Sequence, residues 1–237
     1  MLKNSSRFWF KPLIRFFFLF TLSCFAIYFI GRPFFCMCNR VVSNDYSSQD
    51  YWDHKYSEKD TIFEWLEDYS TLQSYITSRI LRSDKILVPG CGNSAISADM
   101  YKDGYLNLYN IDFSPVCIEQ MKKRFADMDK MEWRVMDITK MDYDDEMFDT
   151  VLDKGTLDAL TCGEDTDKLM EKACNEYMRV LKPGGIAYII SFGQSEDRLC
   201  YFNPEGEHNW IFDGFDLLDR EIAPHCYYHV YKLRKPK

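Results

Sequence analysis

Between Lys85 and Phe192 the chain alternates short apolar runs with longer stretches whose apolar residues recur every three or four positions. The short runs are typical of buried strands, and the longer stretches are typical of amphipathic helices. This alternation predicts parallel strands joined by right-handed helical crossovers. The predicted strands are 85–88, 106–112, 132–136, 148–152 and 186–192, and the predicted helices are 94–102, 115–125 and 167–181.

Further elements are predicted on either side of this region. The segments 210–212 and 227–233 are separated by turn-forming residues, which predicts an antiparallel pair at the edge of the sheet. A short helix over 51–56 and a second helix that includes 63–66 and reaches 81 lead into the first strand. The expected fold is therefore α/β: a Rossmann-like, seven-stranded, mostly parallel sheet with an antiparallel edge strand and helices on both faces.

The first forty residues differ from the rest of the chain. Leu13 to Ile30 is an aromatic-rich apolar run with a single charge, Arg15, and its length is at the lower end of what spans a bilayer. Three interpretations stay open: a signal-anchor helix, a cleaved targeting sequence, or upstream sequence joined to a protein that begins at Met37. We expect a hydrophobic, basic segment over 1–40 that forms a helix, and a separate cytoplasmic domain over 46–237. The first interpretation would anchor that domain to a membrane.

Charge and cysteine usage limit the partners of the domain. The chain has 29 basic and 37 acidic residues; residues 1–40 contain six basic residues and no acidic ones, so 41–237 carry a net charge of −14. A domain this acidic repels phosphate backbones, which argues against direct nucleic-acid binding and favours a basic protein partner. The nine cysteines show no spacing suited to zinc and predict free thiols in a reducing compartment. The oligomeric state stays open, and a monomer is expected.

A glycine turn follows the first predicted strand, with the sequence Gly90-Cys91-Gly92-Asn93-Ser94. Glycine at positions 90 and 92 lets the chain turn sharply and lets a ligand approach the backbone. Asn93 or Ser94 can cap the helix that follows. A turn that serves packing alone explains this stretch equally well, so its surroundings have to decide between the two interpretations.

Acidic residues follow each of the next three predicted strands. Asp112 ends the second strand, 22 residues after the first glycine of the turn, where a carboxylate can accept both hydroxyls of a ribose. Asp137 follows the third strand and is placed to accept from an adenine amine, while the Ile138 amide faces a ring nitrogen. Asp153 and Asp158 follow the fourth strand, beneath the expected reaction point. The pattern predicts a nucleoside site at the carboxyl ends of the strands.

Two nucleoside cofactors are open at this point, NAD and S-adenosylmethionine. The stretch from Gly90 to Ala95 matches the looser glycine pattern used for NAD. A dinucleotide, however, usually occupies two mononucleotide halves, and here the fifth strand is followed only by an edge hairpin. S-adenosylmethionine needs adenine, ribose and methionine sites, which a single half can supply. The architecture therefore favours S-adenosylmethionine.

The most specific motif is the block from Phe148 to Leu160, which contains Asp-Lys-Gly-Thr-Leu-Asp-Ala over 153–159. With 87–94, 111–114, 136–138 and the aromatic opening at 51–56, it resembles the seven-strand S-adenosylmethionine-dependent methyltransferases that modify lysine in translation elongation factor 1-alpha. The resemblance covers about residues 50–233.

The resemblance implies a protein-lysine N-methyltransferase that uses S-adenosylmethionine and acts on elongation factor 1-alpha, a basic protein. Trp52, Tyr56 and Trp65 are expected to form a lid over the cofactor, and no metal is expected. The alternatives are methylation of another protein or a small molecule, or a membrane-tethered binding module without turnover. The expected cofactor-binding residues are Trp52, Tyr56, Trp65, Gly90, Gly92, Asp112, Phe113, Asp137, Ile138 and Lys154, and the candidate catalytic residues, with a positioning role, are Asp153, Lys154 and Asp158.

Overall fold

The computed structural model of the chain describes residues 45–202, 210–220 and 226–237. They belong to one compact unit, Asn44–Lys237. Leu13 to Ile30 lies outside the described residues, so a membrane anchor there and a domain boundary near residue 40 stay predictions. Within the described part of the chain, the helices are all too short or too polar to cross a membrane.

The described strands form a seven-stranded sheet in the order β3-β2-β1-β4-β5-β7-β6. Strands β1 to β5 are parallel, and β7 is antiparallel to both of its neighbours. The predicted fold class and its antiparallel edge are confirmed, with β7 one place inside the edge. The strands are β1 (Ile86–Pro89), β2 (Leu108–Asp112), β3 (Glu132–Val135), β4 (Phe148–Lys154), β5 (Leu181–Ser191), β6 (Ile211–Asp219) and β7 (Tyr227–Arg234).

Seven helices are present among the described residues. Two of them begin at side-chain caps: the Asp68 carboxylate accepts from the Thr71 amide at 3.0 Å, and the Ser114 hydroxyl accepts from the Cys117 amide at 3.2 Å. The helices are α1 (Gln49–Glu58), α2 (Tyr69–Thr77), α3 (Ile96–Lys102), α4 (Pro115–Arg124), α5 (Thr156–Leu160), α6 (Thr166–Val180) and α7 (Ser195–Arg198). The sequence pattern did not predict α5 and α7, since one or two turns show no helical periodicity.

The sheet is buried on both faces, which explains why its central strands are continuously apolar. Ile86 and Val88 of β1 pack into one cluster with residues of α2, α3 and α4. Leu87, which points to the opposite face, packs into a second cluster with residues of α6. The prediction of helices on both faces is confirmed.

Two predicted boundaries are wrong for physical reasons. Residues 63–66 are not helical; α2 begins only at Tyr69, and Leu66 has a φ of 66°. The segment Pro183-Gly184-Gly185 does not precede the fifth strand but lies inside β5, where the pairing with β4 jumps from Leu181 to Ile186. Glycine and proline there make an irregularity within a strand, which a sequence pattern does not distinguish from a loop.

Candidate functional site

The glycine turn has the backbone conformation that its sequence predicts. Gly90 and Gly92 both have a φ of 53°, which residues with a side chain adopt only with strain. A Cβ on Gly90 would overlap the Thr156 side chain at the start of α5, and one on Gly92 would lie 3.1 Å from the Tyr56 hydroxyl. Gly90 is therefore required by packing, and at Gly92 the hydroxyl of Tyr56 from α1 lies close to the backbone.

Asp112 at the end of β2 is bonded directly to the glycine turn. One carboxylate oxygen accepts from the Gly92 amide at 3.0 Å, and the other accepts from the Ser114 amide at 2.9 Å. Burial raises the pKa of Asp112 to about 6, although the amides of Ser114 and Gly92 oppose that shift. Each oxygen of an ionised carboxylate can accept a second hydrogen bond, so the side chain is suited to hold hydroxyl groups.

The three predicted lid aromatics lie together. Trp52 stacks on Tyr56 with ring centroids 5.6 Å apart, and it meets the edge of Trp65 at 6.0 Å. Tyr46, which the sequence did not single out, packs against both tryptophans at 5.9 and 6.0 Å, and its carbonyl accepts from the Trp52 indole at 2.7 Å. The Ser114 hydroxyl donates to Asp53 of α1, which ties this aromatic group to the end of β2.

Residues 61–66, here called the strap, lie against the glycine turn instead of forming a helix. The Asn93 side-chain amide donates to the Thr61 carbonyl at 2.5 Å, and the Phe63 amide donates to the Asn93 carbonyl at 3.3 Å. At the other end of the strap, the Tyr228 hydroxyl donates to the Leu66 carbonyl at 3.2 Å. These contacts bring Trp65 to the carboxyl ends of the strands, where the lid was predicted.

Lys154, at the end of β4, makes hydrogen bonds to two residues of the strap. Its ammonium group lies 2.9 Å from the Glu64 carboxylate and 2.6 Å from the Trp65 carbonyl. The side chain is only 6% exposed. Burial lowers the pKa of Lys154, and the neighbouring Glu64 opposes that shift. Lys154, which the sequence predicts to bind cofactor, is thus bonded to the segment that contains Trp65.

Asp153 lies in β4, next to Lys154, and is fully buried. Its carboxylate accepts from the Thr156 amide at 2.9 Å and from the Tyr177 hydroxyl at 2.8 Å. Burial raises the pKa of Asp153 to about 7, against the effect of these hydrogen bonds. These hydrogen bonds join the start of α5 to α6 through Asp153.

Asp158 on α5 is held by the end of β5 and by α7. Its carboxylate accepts from the Phe192 amide at 2.7 Å and from the Ser191 hydroxyl at 2.5 Å, and it pairs with Arg198 at 3.0 Å. The side chains of Asp158 and Arg198 are 16% and 11% exposed. The negative charge of Asp158 is therefore compensated within the protein.

The remaining predicted residues lie at the ends of β2 and β3. Asp137 is exposed, and its carboxylate accepts from the Thr139 amide at 2.8 Å. Ile138 is buried, and Phe113 is partly buried. The Met136 amide donates to the Asp112 carbonyl at 2.9 Å, which joins the two strand ends. The strands β3, β2, β1 and β4 are parallel neighbours, so their carboxyl ends lie side by side. These residues, the glycine turn and Lys154 are therefore on the same side of the sheet, here called the sheet edge.

Comparison with known proteins identifies the family. A family model described as a methyltransferase domain matches residues 87–189. EEF1A lysine methyltransferase 4 of Mus musculus is 33% identical over 200 residues, which cover 80% of this chain and 76% of that protein. The chain belongs to this methyltransferase family. It is also 37% identical over 171 residues to the eEF1A lysine and N-terminal methyltransferase of Bos taurus, but it spans only 24% of that longer protein.

Solved structures show that the fold alone does not determine the reaction. A SAM-dependent methyltransferase of Methanosarcina mazei aligns with a TM-score of 0.54 and 19% identity, covering 68% of this chain and 97% of that one. A geranyl diphosphate C-methyltransferase of Streptomyces coelicolor, in complex with S-adenosyl-L-homocysteine, aligns at 0.52 and 12%, covering 70% and 78%. The [4+2]-cyclase SpnF aligns at 0.59 and 15%, covering 82% and 96%. At these identities the likeness supports the fold only.

A cavity of about 280 Å³ in this methyltransferase lies away from the predicted residues. It is lined by Asp149 and Thr150, near the amino end of β4, and by Lys182 and Ile186 of β5, among others. In parallel α/β sheets ligands bind outside the carboxyl ends of the strands. The cavity therefore lies at the amino ends of the strands, whereas the predicted site residues lie at the carboxyl ends.

Sequence reasoning missed two charged residues of the sheet edge, Glu64 and Arg198. Glu64 was placed on a helix between two aromatic residues, and its partner Lys154 is 90 positions away. Arg198 follows the last parallel strand, 40 positions after Asp158. A single sequence carries no signal for such pairs, because charge on its own does not specify a partner.

Proposed function

We propose that this methyltransferase transfers the methyl group of S-adenosylmethionine to a lysine side chain of translation elongation factor 1-alpha. The observation that carries the proposal is the buried Asp112 carboxylate, hydrogen-bonded to the amide of Gly92, a residue that lies against the Tyr56 hydroxyl. A carboxylate there suits the two hydroxyls of one ribose. The matched family and the printed names of the relatives support the same reaction.

The residues at the sheet edge fit this cofactor. Asp112 would accept from the ribose, Asp137 and Ile138 would bind the adenine, and the turn at Gly90 and Gly92 would border the cofactor. Phe113 directly follows Asp112 and belongs to the same predicted set. Trp52, Tyr56, Trp65 and Lys154 complete the predicted cofactor-binding set. Together these residues offer carboxylates that can accept from hydroxyl and amine groups, and aromatic rings that can cover a base, which suits a single nucleoside.

The chain's own contribution is mainly alignment and exclusion of water. The cofactor, when bound, supplies a methyl group already activated by a sulfonium. The aromatic residues of α1 and the strap shield the sheet edge, and a dry, rigid site favours an aligned, uncharged amine. Asp153 and Asp158 act as positioning residues, since both carboxylates are bonded to protein groups.

The target amine must lose a proton before it can attack. A free lysine has a pKa of about 10.4, so only about one in a thousand is uncharged near pH 7.5. A free carboxylate nearby would favour the charged amine. Because Arg198 compensates Asp158, this carboxylate opposes deprotonation less than an unpaired one would.

Methylation of purified, folded elongation factor 1-alpha tests the substrate. With labelled S-adenosylmethionine, we expect label on a lysine, located by peptide mass spectrometry. We expect kcat/KM to rise between about pH 7 and 9 as more of the amine is uncharged. It should fall with added salt, because the net charge of −14 over residues 41–237 attracts a basic surface that salt screens.

Three outcomes of this assay, or of the same assay with a cell lysate as the source of acceptors, contradict the substrate assignment. Label on RNA or on a small metabolite would indicate a different substrate class. Label only on an α-amino group would favour N-terminal methylation, which the name of the bovine relative includes. Cofactor binding without transfer to any acceptor in a cell lysate would favour a binding module.

Cofactor affinity should depend on pH through Asp112. Its pKa is raised to about 6 in the folded protein, and hydroxyl donors favour the ionised form, so binding should release a proton. Affinity should therefore increase as pH rises from about 5 to 7, by about tenfold if only the ionised form binds. Calorimetry in buffers of different ionisation enthalpy measures both the affinity and the released proton.

The control for this pH dependence is Asp112→Asn, which keeps the size of the side chain and removes the titration. Its affinity should be lower and nearly constant over the same range. A wild-type affinity that is constant between pH 5 and 7, or that falls as pH rises, would contradict the assignment of Asp112 to the ribose.

A further inference from the structure

Glu64 connects three parts of the protein that are distant in sequence. One carboxylate oxygen accepts from the Ala95 amide at 2.6 Å. The other accepts from the Ser94 hydroxyl at 2.6 Å and lies 2.9 Å from the Lys154 ammonium. Its side chain is 20% exposed. A strap residue thus bonds the segment after the glycine turn and the end of β4 at the same time.

We propose that Glu64 is a positioning residue that latches the strap over the sheet edge and thereby slows the release of bound cofactor. The proposal rests on the proposed function in one respect, the presence of a cofactor beneath the strap. The sequence predicts that Lys154 binds the cofactor. In the structure its ammonium group contacts the strap instead, at the Glu64 carboxylate and the Trp65 carbonyl.

The other contacts of the strap explain why one carboxylate has this effect. Thr61, Phe63 and Leu66 are joined to the domain by hydrogen bonds of their main-chain groups. Leu66 has the left-handed backbone conformation that favours glycine, so this end of the strap is strained. A strained segment stays in place only when its surroundings hold it, and the Glu64–Lys154 ion pair is the charged part of that support.

Burial makes this ion pair sensitive to loss of either partner. The Lys154 side chain is 6% exposed, so removing the carboxylate would leave a buried ammonium without its counter-charge. The strap can relieve that cost by moving away and admitting water. Such movement would uncover Trp65, whose ring packs against Trp52 and Tyr46. Loss of the latch should therefore appear in release rates more than in chemistry.

The test uses the full chain, with the variants Glu64→Gln, Lys154→Met and the double variant. Glu64→Asp is the conservative variant, and Glu171→Gln is the matched control, since Glu171 is an exposed acid on α6. The probe is S-adenosyl-L-homocysteine, followed by tryptophan fluorescence in stopped flow. Steady-state methylation separates KM for the cofactor from kcat, and thermal unfolding reports whether each variant folds.

We expect Glu64→Gln to speed release about tenfold and to raise KM for the cofactor similarly, with kcat at saturation changed less than about threefold. Glu64→Asp should recover part of the loss, and Glu171→Gln should match wild type. The double variant should lose less than the sum of the two single variants, because the pair that they share is already broken in each. Wild-type release rates in Glu64→Gln, or effects of the two single changes that add in full, would overturn the latch.

Hydrogen exchange without cofactor separates this proposal from the proposed function. The Phe63 amide, bonded to the Asn93 carbonyl, should exchange at least about tenfold faster in Glu64→Gln than in wild type. Equal exchange rates would overturn the latch whatever the ligand is. If the wild-type chain binds neither S-adenosylmethionine nor S-adenosyl-L-homocysteine, but the Phe63 amide still exchanges faster in Glu64→Gln, the latch is supported and the proposed function is rejected.

Discussion

Asp112→Ala should lower the affinity for S-adenosylmethionine at least tenfold while the fold survives. The change removes a carboxylate that would accept two charge-assisted hydrogen bonds from ribose, each contributing on the order of 1.5 to 3 kcal/mol before compensation by water. It also leaves the Gly92 and Ser114 amides without their acceptor. Calorimetric titration of wild type and variant measures the loss directly.

The comparison of Asp112→Ala with Asp112→Asn separates the two effects. Asparagine keeps an acceptor for one of the two amides, so it should preserve stability better than alanine does. If both variants lose affinity while only alanine lowers the unfolding temperature, the charge acts on the ligand. Tight binding of NAD by wild type, with no binding of S-adenosylmethionine, would reject the cofactor assignment altogether.

The sheet could be predicted because each central strand has to be apolar along its whole length. Strands such as Ile86–Pro89 are covered on both faces, so their sequence shows a compact apolar run. The proximity of Asp112 and the glycine turn could be predicted for a related reason. Strand ends in a parallel sheet meet at one edge, and the order of strands along the chain then places their residues together.

The strap could not be predicted in the same way. Phe63 and Leu66 are three positions apart, a spacing typical of a helix, but in the structure Leu66 packs on the core and Trp65 on Trp52 from a segment that is not helical. What keeps them out of a helix is a set of contacts with Asn93, Ser94 and Lys154, which are 30 to 90 positions away. Tertiary contacts override local propensity here.

The candidate catalytic residues show the same limit. The sequence placed Asp153 and Asp158 near the reaction point; in the structure Asp153 lies within the last two residues of β4, and Asp158 lies on α5 just after that strand. Their partners, Tyr177 and Arg198, come from α6 and α7, and they decide what the carboxylates can do. A motif therefore identified the residues, but the burial of one and the charge compensation of the other required three dimensions.

Gly90→Ala should destabilise the protein strongly, by about 2 to 5 kcal/mol. A residue with a Cβ costs about 1 to 2 kcal/mol at the φ of 53° found here, and forcing the Cβ into the space of Thr156 adds about 1 to 3 kcal/mol. In a domain of this size each kcal/mol lowers the unfolding temperature by roughly 2 to 4 °C. Thermal unfolding should therefore shift by roughly 5 to 20 °C.

A second glycine separates backbone strain from overlap. Gly214 in β6 has a φ of 85°, and a Cβ there would have no atom within 4 Å, so Gly214→Ala should show the backbone cost alone. Thr156→Ala in the Gly90→Ala background removes the side-chain atoms beyond Cβ and should recover part of the lost stability. If Gly90→Ala is no worse than Gly214→Ala, the packing of α5 against the turn does not require glycine, and a requirement at position 90 would then come from the ligand.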